Sequence, residues 1–448
     1  MSTSEIIKLI QKGEGMSLEA KKAENMLPAS LWESYSAFAN TNGGLILLGV
    51  TEQVQNKKLV ITGVADSTKL IKNFWDQVNN KQKVSCNIIH EKNVSVHSIQ
   101  EKKIIAIDVP RANRQDKPVF INNDLMRGTY RRRAEGDYRC NSEDVKSMLR
   151  DQAETSMDAL IFEEISWKEL NNDTIRRYRI RFKNLKPNHV WNNIEEEDFL
   201  LKIGAIKRDT ENRNLHPTLA GILMFGEDTL ITSVLPDYFL DYREQDSRVN
   251  TRWVDRVNTG TGEWTGNIFD FYFRVTDKIV STIKIPFKLK GIERIDVTPL
   301  HEALREAVAN ALIHANYYGR RGIVIEKSLA KITISNPGVL RISMKEALDG
   351  GVSDPRNSTV FKMFSLIGVG ERAGSGLNNI FHIWNEHHLP VPLFSEHFEP
   401  ERLTCVLDFG MGIFKTLKSS EETSKSSEEI SKSSEEISKS SEEISKSS

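Results

Sequence analysis

Three acidic residues in the N-terminal part of the chain are of the type that holds a divalent metal ion. Glu14 and Glu19 lie five residues apart, and Glu52 follows an apolar run. If the chain is extended at Glu19, that side chain and Lys21 share one face, because alternate residues of a strand point the same way. Convergent carboxylates bind Mg²⁺ or Mn²⁺, and such an ion activates water against a phosphodiester. The spacing alone also fits solvated surface charges, so both interpretations stay open.

The densest basic cluster of the chain lies within residues 127–139, where Tyr130 and Tyr138 stand among arginines. Guanidinium groups bind phosphate oxygens in pairs, and aromatic rings stack on unpaired bases. The alternative is a charged strand edge that prevents aggregation. The residues that we predict to contact nucleic acid are Lys21, Lys22, Arg127, Arg131, Arg132 and Arg133.

A second set of polar side chains recurs every four residues in an otherwise apolar segment, residues 300–315. These are Glu302, Glu306, Asn310 and His314. A helix with this spacing carries them as one polar stripe. A carboxylate can orient water, and an amide oxygen one turn away can ligate Mg²⁺ between phosphates. The pattern therefore predicts a ligand on this face of the helix.

Glycines follow the predicted helix at two places. A strand-like segment ends in Asn336-Pro337-Gly338, and Gly370, Gly374 and Gly376 come later. Glycines let backbone N–H groups approach a phosphate at the start of a helix. An ordinary surface turn is the alternative. The GxxxxGK[ST] pattern does not occur in the sequence, which excludes a P-loop.

The chain has 448 residues, which is longer than one ordinary domain. Several structural units must therefore position these side chains. Helical and strand patterns are mixed throughout, which predicts an α+β fold class. We predict an N-terminal α+β domain over 1–149, a helical or winged-helix connector over 150–226, and a second α+β domain over 227–412. Residues 413–448 form a separate low-complexity segment.

Composition narrows the class of protein. Hydrophobic residues make up 39% and charged residues 27%, and no apolar run approaches the ~20 residues that cross a membrane. The N-terminus lacks the pattern of a signal peptide, and three scattered cysteines exclude a disulfide framework or a CxxC zinc site. We expect a cytoplasmic protein without a membrane partner.

The C-terminal segment repeats Ser-Ser-Glu-Glu-Thr/Ile-Ser-Lys four times, with at most one isoleucine per repeat. A coiled coil needs two apolar positions in each heptad. Such a composition buries too little apolar surface to offset the entropy of ordering, so we predict a disordered polar tail. The formal net charge of the chain is -1, and this balance does not by itself indicate nucleic-acid binding.

Taken together, the N-terminal motifs resemble the Schlafen AlbA-type domain. They are Glu14-x4-Glu19-x-Lys21, Ser36-Ala-Phe-Ala-Asn-Thr-Asn-Gly-Gly, Val109-Pro-Arg and Tyr130-Arg-Arg-Arg. Gly43 and Gly44 permit a turn with positive φ between helix and strand. The resemblance implies a nucleic-acid-binding α/β domain. It also implies relatives that cleave RNA with three acids, of which Glu14 and Glu19 match the first two and either Glu52 or Asp108 matches the third.

The helix with Glu306 and Asn310, the Asn-Pro-Gly strand end and the later glycine loop resemble, in this order, the Bergerat ATP-binding fold of the GHKL class, an α/β sandwich. The resemblance implies ATP and Mg²⁺ as cofactors, with Mn²⁺ as an alternative metal. Glu306 becomes the candidate general base and Asn310 the metal ligand. The other implied nucleotide contacts are His314, Asn336, Gly338, Gly370, Gly374 and Gly376. Many GHKL proteins have Asp at the place of Asn336, so adenine binding is expected to be altered.

The combined resemblance is to a family of transcriptional regulators. For this chain we expect the ATP-binding module to modulate the engagement of DNA or RNA by the AlbA-type domain. One alternative is a metal-dependent endoribonuclease of Schlafen type in stress or phage defence, and another is a non-catalytic scaffold. Weak ATP hydrolysis is compatible with the first interpretation. A homodimer is compatible with both domain types.

Overall fold

A computed structural model describes residues 2–53, 55, 58–245, 253–282, 288–290, 293–295, 298–351, 353–370 and 376–410. The chain divides into two compact units. The first comprises Met1–Thr155 and Arg341–Ser343, and the second comprises Ser156–Leu340 and Met344–Ser448. The predicted polar tail, 413–448, lies outside the described residues.

The first unit mixes helices with short strands. Its elements are α1 (Thr3–Lys12), β1 (Leu18–Lys21), α2 (Leu31–Asn40), β2 (Gly44–Leu48), β3 (Val50–Gln53), β4 (Lys58–Ile61), α3 (Ser67–Val78), β5 (Val94–Ile99), β6 (Lys102–Val109), β7 (Tyr130–Arg133), β8 (Gly136–Arg139) and α4 (Ser142–Gln152). The main sheet has the strand order β1-β2-β6-β5, with β1 parallel to β2 and the other neighbours antiparallel. The pairs β3-β4 and β7-β8 form two separate antiparallel ribbons.

Helices cover both faces of the main sheet. Successive strand residues point to opposite faces, so Ile46 and Leu48 of β2 join the core formed with α2 and α3, whereas Leu45 and Leu47 join the core that includes Ile6 of α1. The continuous apolar run of β2 follows from this two-sided burial.

The glycine pair between α2 and β2 serves two different purposes. Gly43 has a φ of +76°, as the sequence predicts for the turn. Gly44 does not have a positive φ. Instead, a Cβ atom there would lie 2.4 Å from Cε1 of Phe38, so the ring of Phe38 requires a residue without a side chain.

The second unit contains the remaining elements. They are α5 (Asn172–Leu185), α6 (Glu196–Ile203), β9 (Ile206–Arg208), β10 (Leu215–Pro217), α7 (Leu219–Phe225), α8 (Asp228–Val234), β11 (Leu240–Glu244), β12 (Asp255–Asn258), α9 (Ile268–Thr282), β13 (Lys288–Lys290), β14 (Glu293–Ile295), α10 (Pro299–His314), β15 (Ile323–Lys327), β16 (Lys331–Pro337), α11 (Met344–Asp349), α12 (Ser358–Leu366), α13 (Gly376–Glu386), β17 (Leu393–Phe398) and β18 (Glu401–Asp408).

The second unit is built on a six-stranded sheet with the order β12-β11-β15-β16-β18-β17. Only β11 and β15 are parallel neighbours, and the other pairs are antiparallel. Buried and half-buried residues alternate along β15, which shows that one face of the sheet is in the core. Helix α10 packs against β16, and α9 and α13 pack against α10.

One continuous core runs through the second unit. It includes Ile175 and Phe199 from the predicted connector as well as Leu304 and Ile334 from the predicted nucleotide-binding segment. The predicted α+β fold class is confirmed. No helix among the described residues is long and apolar enough to cross a membrane.

Candidate functional site

Strand β1 brings an acidic and a basic side chain of the N-terminal cluster to one face. Nζ of Lys21 lies 2.7 Å from Oε1 of Glu19, which confirms that the two share a face of an extended segment. Nη1 of Arg132, from β7, lies 2.7 Å from Oε2 of the same carboxylate. Glu19 is therefore neutralised from two sides.

Glu14 is within electrostatic reach of both other predicted acids. The backbone N–H of Ala20 donates a hydrogen bond of 2.8 Å to Oε1 of Glu14. Burial raises the pKa of the Glu14 carboxyl, and the negative charges of Glu19 and Glu52 raise it further; the Ala20 N–H and Arg132 act in the opposite direction. The structure thus brings the three predicted acids into one neighbourhood.

The sheet register separates Asp108 from this neighbourhood. Glu19 pairs with Ile46, which pairs with Ile107, so these three side chains lie on one face of the sheet. Asp108 is the next residue along β6 and points to the other face, as one-residue steps in a strand require. The sequence left Glu52 and Asp108 open as the third acid, and this geometry favours Glu52.

The acids do not form a ready metal centre. Among the described residues, no group of three His, Cys, Asp or Glu side chains is arranged to hold a metal ion. At this site, Glu19 is also engaged by Lys21 and Arg132. A metal ion would have to compete with these two cations for the carboxylate.

Two of the predicted phosphate contacts are buried. The side chains of Arg131 and Arg132 are 2% and 1% exposed. Arg131 pairs with Asp144 at 3.4 Å, and Arg132 pairs with Asp137 at 2.9 Å as well as with Glu19. In this structure neither guanidinium is presented to a phosphate in solvent, which corrects the prediction made from the sequence.

The other predicted cations are more accessible. Arg127 and Lys22 are exposed, and Lys22 forms an exposed pair with Glu24 at 3.2 Å. Arg133 is 24% exposed and lies 3.7 Å from Asp144. Arg139, the last residue of the basic cluster, is exposed, and its guanidinium lies 5.9 Å from the centre of the Tyr130 ring.

Polar side chains of α2 and of Thr41, the residue after it, hold β7 in place. The hydroxyl of Ser36 accepts a 3.0 Å hydrogen bond from the N–H of Tyr130, and Oγ1 of Thr41 accepts one of 2.9 Å from the N–H of Arg132. Nδ2 of Asn40 donates to the carbonyl of Tyr130 at 3.0 Å. Because these bonds are buried, they fix the direction in which the arginines of β7 leave the strand. The polar residues of the segment that precedes Gly43 therefore also position strand β7.

Helix α10 carries the second candidate site. Glu302 is exposed, Glu306, Asn310 and His314 are half-buried, and the opposite side of the helix is in the core. The polar stripe predicted from the four-residue spacing is present. Within the described part of the chain, no residue forms a hydrogen bond with the Asn310 side chain, so its amide is available to a ligand.

The first residue of α13 lies directly against this stripe. A Cβ atom on Gly376 would be only 2.2 Å from Oε1 of Glu306, which means that no larger residue fits without a shift. The N-terminus of α13 and the carboxyl of Glu306 are thereby brought together. Gly370 has a φ of +77° and contacts the core side of α10 near Ile313. Gly374 lies outside the described residues.

The Asn-Pro-Gly segment ends β16 beside the C-terminal end of α10. Asn336 is buried, and its Nδ2 donates to the carbonyl of Pro337 at 3.2 Å. The N–H of Asn316, two residues after α10, donates to the same carbonyl at 2.8 Å. Gly338 has a φ of +93°, where a side chain is strained. The strand end and the helix end are thus tied together.

Two residues that the sequence-based prediction missed clamp this junction. The guanidinium of Arg356 donates to the carbonyls of His314 and Val339, the latter at 3.0 Å. Nδ2 of Asn357 donates to the carbonyls of Ile313 and Ala315 at 2.9 and 2.8 Å. The bonds to Ile313, His314 and Ala315 satisfy carbonyl groups that the end of a helix leaves without partners. The sequence signal was only the short polar run after Pro355, which has no periodicity.

Comparison with known proteins gives matches to three family models. Residues 14–141 match the model described as "Schlafen, AlbA_2", and residues 146–241 match a "Domain of unknown function (DUF8451)". Residues 321–407 match the model described as "Putative ATP-dependent DNA helicase recG C-terminal", an HATPase-type domain. The chain carries a Schlafen AlbA-type domain and an ATPase-like domain. The match to the ATPase-like model begins after α10, so it includes Asn336 and Gly376 but not Glu306 or Asn310.

Two solved structures are similar to parts of the chain. The crystal structure of the DIP2311 protein from Corynebacterium diphtheriae is 16% identical, covers 88% of this chain and 75% of its own, and gives a TM-score of 0.44. The N-terminal domain of a putative ATP-dependent DNA helicase RecG-related protein from Nitrosomonas europaea is 28% identical, covers 28% of this chain and 82% of its own, and gives a TM-score of 0.22. No curated protein matches the chain.

Proposed function

We propose that the protein is an ATP-binding regulator in which the ATPase-like domain controls how the AlbA-type domain engages DNA or RNA. The observation that carries the nucleotide part is the polar stripe of α10, where the Asn310 amide has no partner among the described residues and Gly376 lies against Glu306. The match of residues 14–141 to the AlbA_2 model supports the nucleic-acid part.

For the nucleotide, each residue has a proposed role. Asn310 would ligate Mg²⁺ through its amide oxygen, and Glu306 would accept a proton from water. Asn336 and Gly338 would lie at the adenine, whereas Gly370 and Gly376 would approach the phosphates. The first N–H groups of α13, which begins at Gly376, suit a phosphate. A glycine at this position fits that role, because it has no side chain to block the approach.

For nucleic acid, the exposed cations of the first unit are the proposed contacts. Arg127, Lys22 and Arg139 are exposed, and Tyr138 is 54% exposed beside Arg139. Cations of this kind contribute affinity that does not depend on sequence and falls with salt. Arg131 and Arg132 would then support the fold of the domain instead of contacting the ligand.

Binding of ATP is tested by thermal unfolding with and without Mg²⁺ and ATP. A ligand at 100 times its Kd stabilises the native state by about 2.7 kcal/mol, which corresponds to about 5 °C for a unit of this size. We expect this shift in the wild type and in Asn385→Ala, an exposed control on α13. Asn310→Ala should lose most of it. Equal shifts in all three proteins, or none in the wild type, would contradict the site and leave a non-catalytic scaffold.

A second candidate function is metal-dependent cleavage of RNA in the AlbA-type domain. It is favoured by one observation, the proximity of Glu19 and Glu52 to Glu14, whose pKa their charges raise. The pairing of Glu19 with two cations stands against it. Single-stranded RNA, single-stranded DNA and duplex DNA should be incubated with the protein in Mg²⁺ or Mn²⁺.

Cleavage that Glu14→Gln removes and Glu24→Gln, an exposed control, retains would support the nuclease. Binding must persist in the Gln variant, since only the chemical step depends on the acid. Absence of cleavage with both metals, or cleavage that survives in Glu14→Gln, would exclude the role of this cluster.

A further inference from the structure

The second unit has a groove that none of the predicted sites uses. It lies between α5, the short 3₁₀ turn Val190–Asn193 and the start of α6, and it encloses about 520 Å³. This is the volume range of small-ligand sites. The region lies within the matched domain of unknown function, residues 146–241.

Basic side chains line the groove along one face of α5. Arg176, Arg179 and Lys183 recur at three- and four-residue steps, so they share a stripe that is about 10 Å long. The other two arginines of the helix point elsewhere. Arg177 pairs with Asp270, and the guanidinium of Arg181 lies 3.5 Å from the centre of the Phe273 ring. The helix thus separates cations that stabilise the unit from cations that face the groove.

Aromatic side chains from α5, the 3₁₀ turn and α6 also line the groove. Trp191 and Phe182 stack with an interplanar angle of 13° and a centroid distance of 6.1 Å. His189 meets the edge of Trp191 at 4.8 Å, and Phe199 meets Phe182 at 5.4 Å. Trp191 is half-buried, so its ring is fixed by packing while part of it remains accessible. A planar ring held in this way is suited to stacking with another planar group.

Two acids, Asp173 and Glu196, also line the groove. Because three cations line it as well, the groove has an excess of one positive charge. Asp173 pairs with Arg176 at 2.8 Å, and both side chains are 73% exposed. Such exposed pairs contribute little free energy, so an incoming anion can replace Asp173. Arg179 is more fixed, because it donates to the carbonyl of Ile194 at 2.8 Å and lies 5.0 Å from the Phe199 ring.

We infer that this groove binds a short stretch of single-stranded nucleic acid, with phosphates at Arg176 and Lys183 and a base against Trp191. Cations in a line provide backbone contacts, and a ring recessed in a groove takes a base that is not paired. A duplex does not fit, because its bases are stacked with one another and cannot reach a recessed ring. This site is separate from the proposed contacts in residues 14–141 and does not depend on them.

The location is tested by photocrosslinking of the full-length protein. A single-stranded 12-mer with 4-thiouridine at alternate positions is bound, irradiated, and mapped by mass spectrometry. Crosslinks within residues 172–203 are expected, with Trp191 and Lys183 among the modified positions. Crosslinks confined to residues 14–141 would overturn the inference while supporting the proposed function of the AlbA-type domain.

The electrostatic contribution is tested by the salt dependence of binding of an oligo-dT 12-mer. Each phosphate contact contributes about 0.7 to the slope of log K against log salt for single strands, so Arg176→Gln with Lys183→Gln should lower the slope by about 1.4. The ratio of the wild-type affinity to that of the double variant should therefore fall about sevenfold between 50 and 200 mM salt. Lys168→Gln with Arg213→Gln removes the same charge at exposed positions outside the groove and should leave the slope unchanged.

Two further results decide between ligands. Trp191→Leu should weaken binding of the oligonucleotide at least fivefold, whereas Trp191→Phe, which keeps a ring, should retain most of the affinity. The proposal is overturned if the groove variant and its control have the same salt slope. It is also overturned if a peptide with the Ser-Ser-Glu-Glu repeat binds the groove and the oligonucleotide does not.

Discussion

Replacing Arg132 with methionine should destabilise the first unit strongly, although the residue lies in the most basic run of the sequence. Its side chain is 1% exposed and pairs with Glu19 at 2.7 Å and Asp137 at 2.9 Å. It also donates to the carbonyls of Gly15 and Leu18 at 2.8 and 3.1 Å. Methionine fills similar volume but provides none of these bonds.

The magnitude follows mainly from Asp137, which loses its cation, because Glu19 keeps its pair with Lys21. Removing one partner of a buried ion pair costs about 3–5 kcal/mol, because the remaining charge is buried without compensation. Each factor of ten in an opening equilibrium corresponds to about 1.36 kcal/mol. The amides of β1 should therefore exchange with solvent about 150 to 5,000 times faster in the variant.

Hydrogen–deuterium exchange with mass spectrometry measures this in the intact chain, using the peptide that contains β1. Arg127→Met is the matched control, because Arg127 is exposed and a surface change of this kind costs less than about 0.5 kcal/mol. Unchanged protection of β1 in Arg132→Met, together with lost nucleic-acid binding, would refute the assignment of Arg132 to the interior and restore it as a phosphate contact.

Three further changes have defined outcomes. Asn357→Ala removes two buried hydrogen bonds to the carbonyls of Ile313 and Ala315, so the free energy of unfolding of the second unit in urea should fall by about 2–3 kcal/mol. The exposed control Asn378→Ala should change it little. Equal stability of the two variants would contradict the role of Asn357 at the end of α10. Gly376→Ala places a Cβ atom 2.2 Å from Oε1 of Glu306, so it should weaken ATP binding in calorimetry, whereas the exposed control Asn385→Ala should not. An unchanged Kd in Gly376→Ala would remove this contact from the site. Burial raises the pKa of Glu14 above its unfolded value, so the native state disfavours the ionised form. Glu14→Gln should therefore be more stable than the wild type at pH 7, and this difference should vanish as pH falls below the unfolded pKa of Glu14; a difference that does not change with pH would contradict the shift.

Local spacing predicted those parts of the sites that a single element determines. The stripe of Glu306, Asn310 and His314 follows from helical periodicity, and the shared face of Glu19 and Lys21 follows from strand periodicity. The apolar run of β2 likewise indicated a strand buried on both faces. These features depend only on residues that are close to one another in the sequence.

Features that depend on distant partners were not predictable in the same way. Arg131 and Arg132 are buried because Asp144, Asp137 and Glu19 pack around them, and no pattern in the basic run indicates which acids these are. The choice between Glu52 and Asp108 depended on the register of β1, β2 and β6. Arg356 and Asn357 act on the end of α10 from more than 40 residues away.

In the proposed function, nucleotide bound in the second unit changes the affinity of the protein for nucleic acid. The most direct measurement is the Kd of a labelled single-stranded RNA, a single-stranded DNA and a duplex DNA by fluorescence anisotropy, with and without Mg²⁺ and ATP. Allosteric coupling typically changes affinity about 5- to 150-fold. We predict a change of at least about fivefold for one of these ligands in the wild type and none in Asn310→Ala. Identical Kd values with and without ATP, under conditions where calorimetry shows that ATP is bound, would contradict the account.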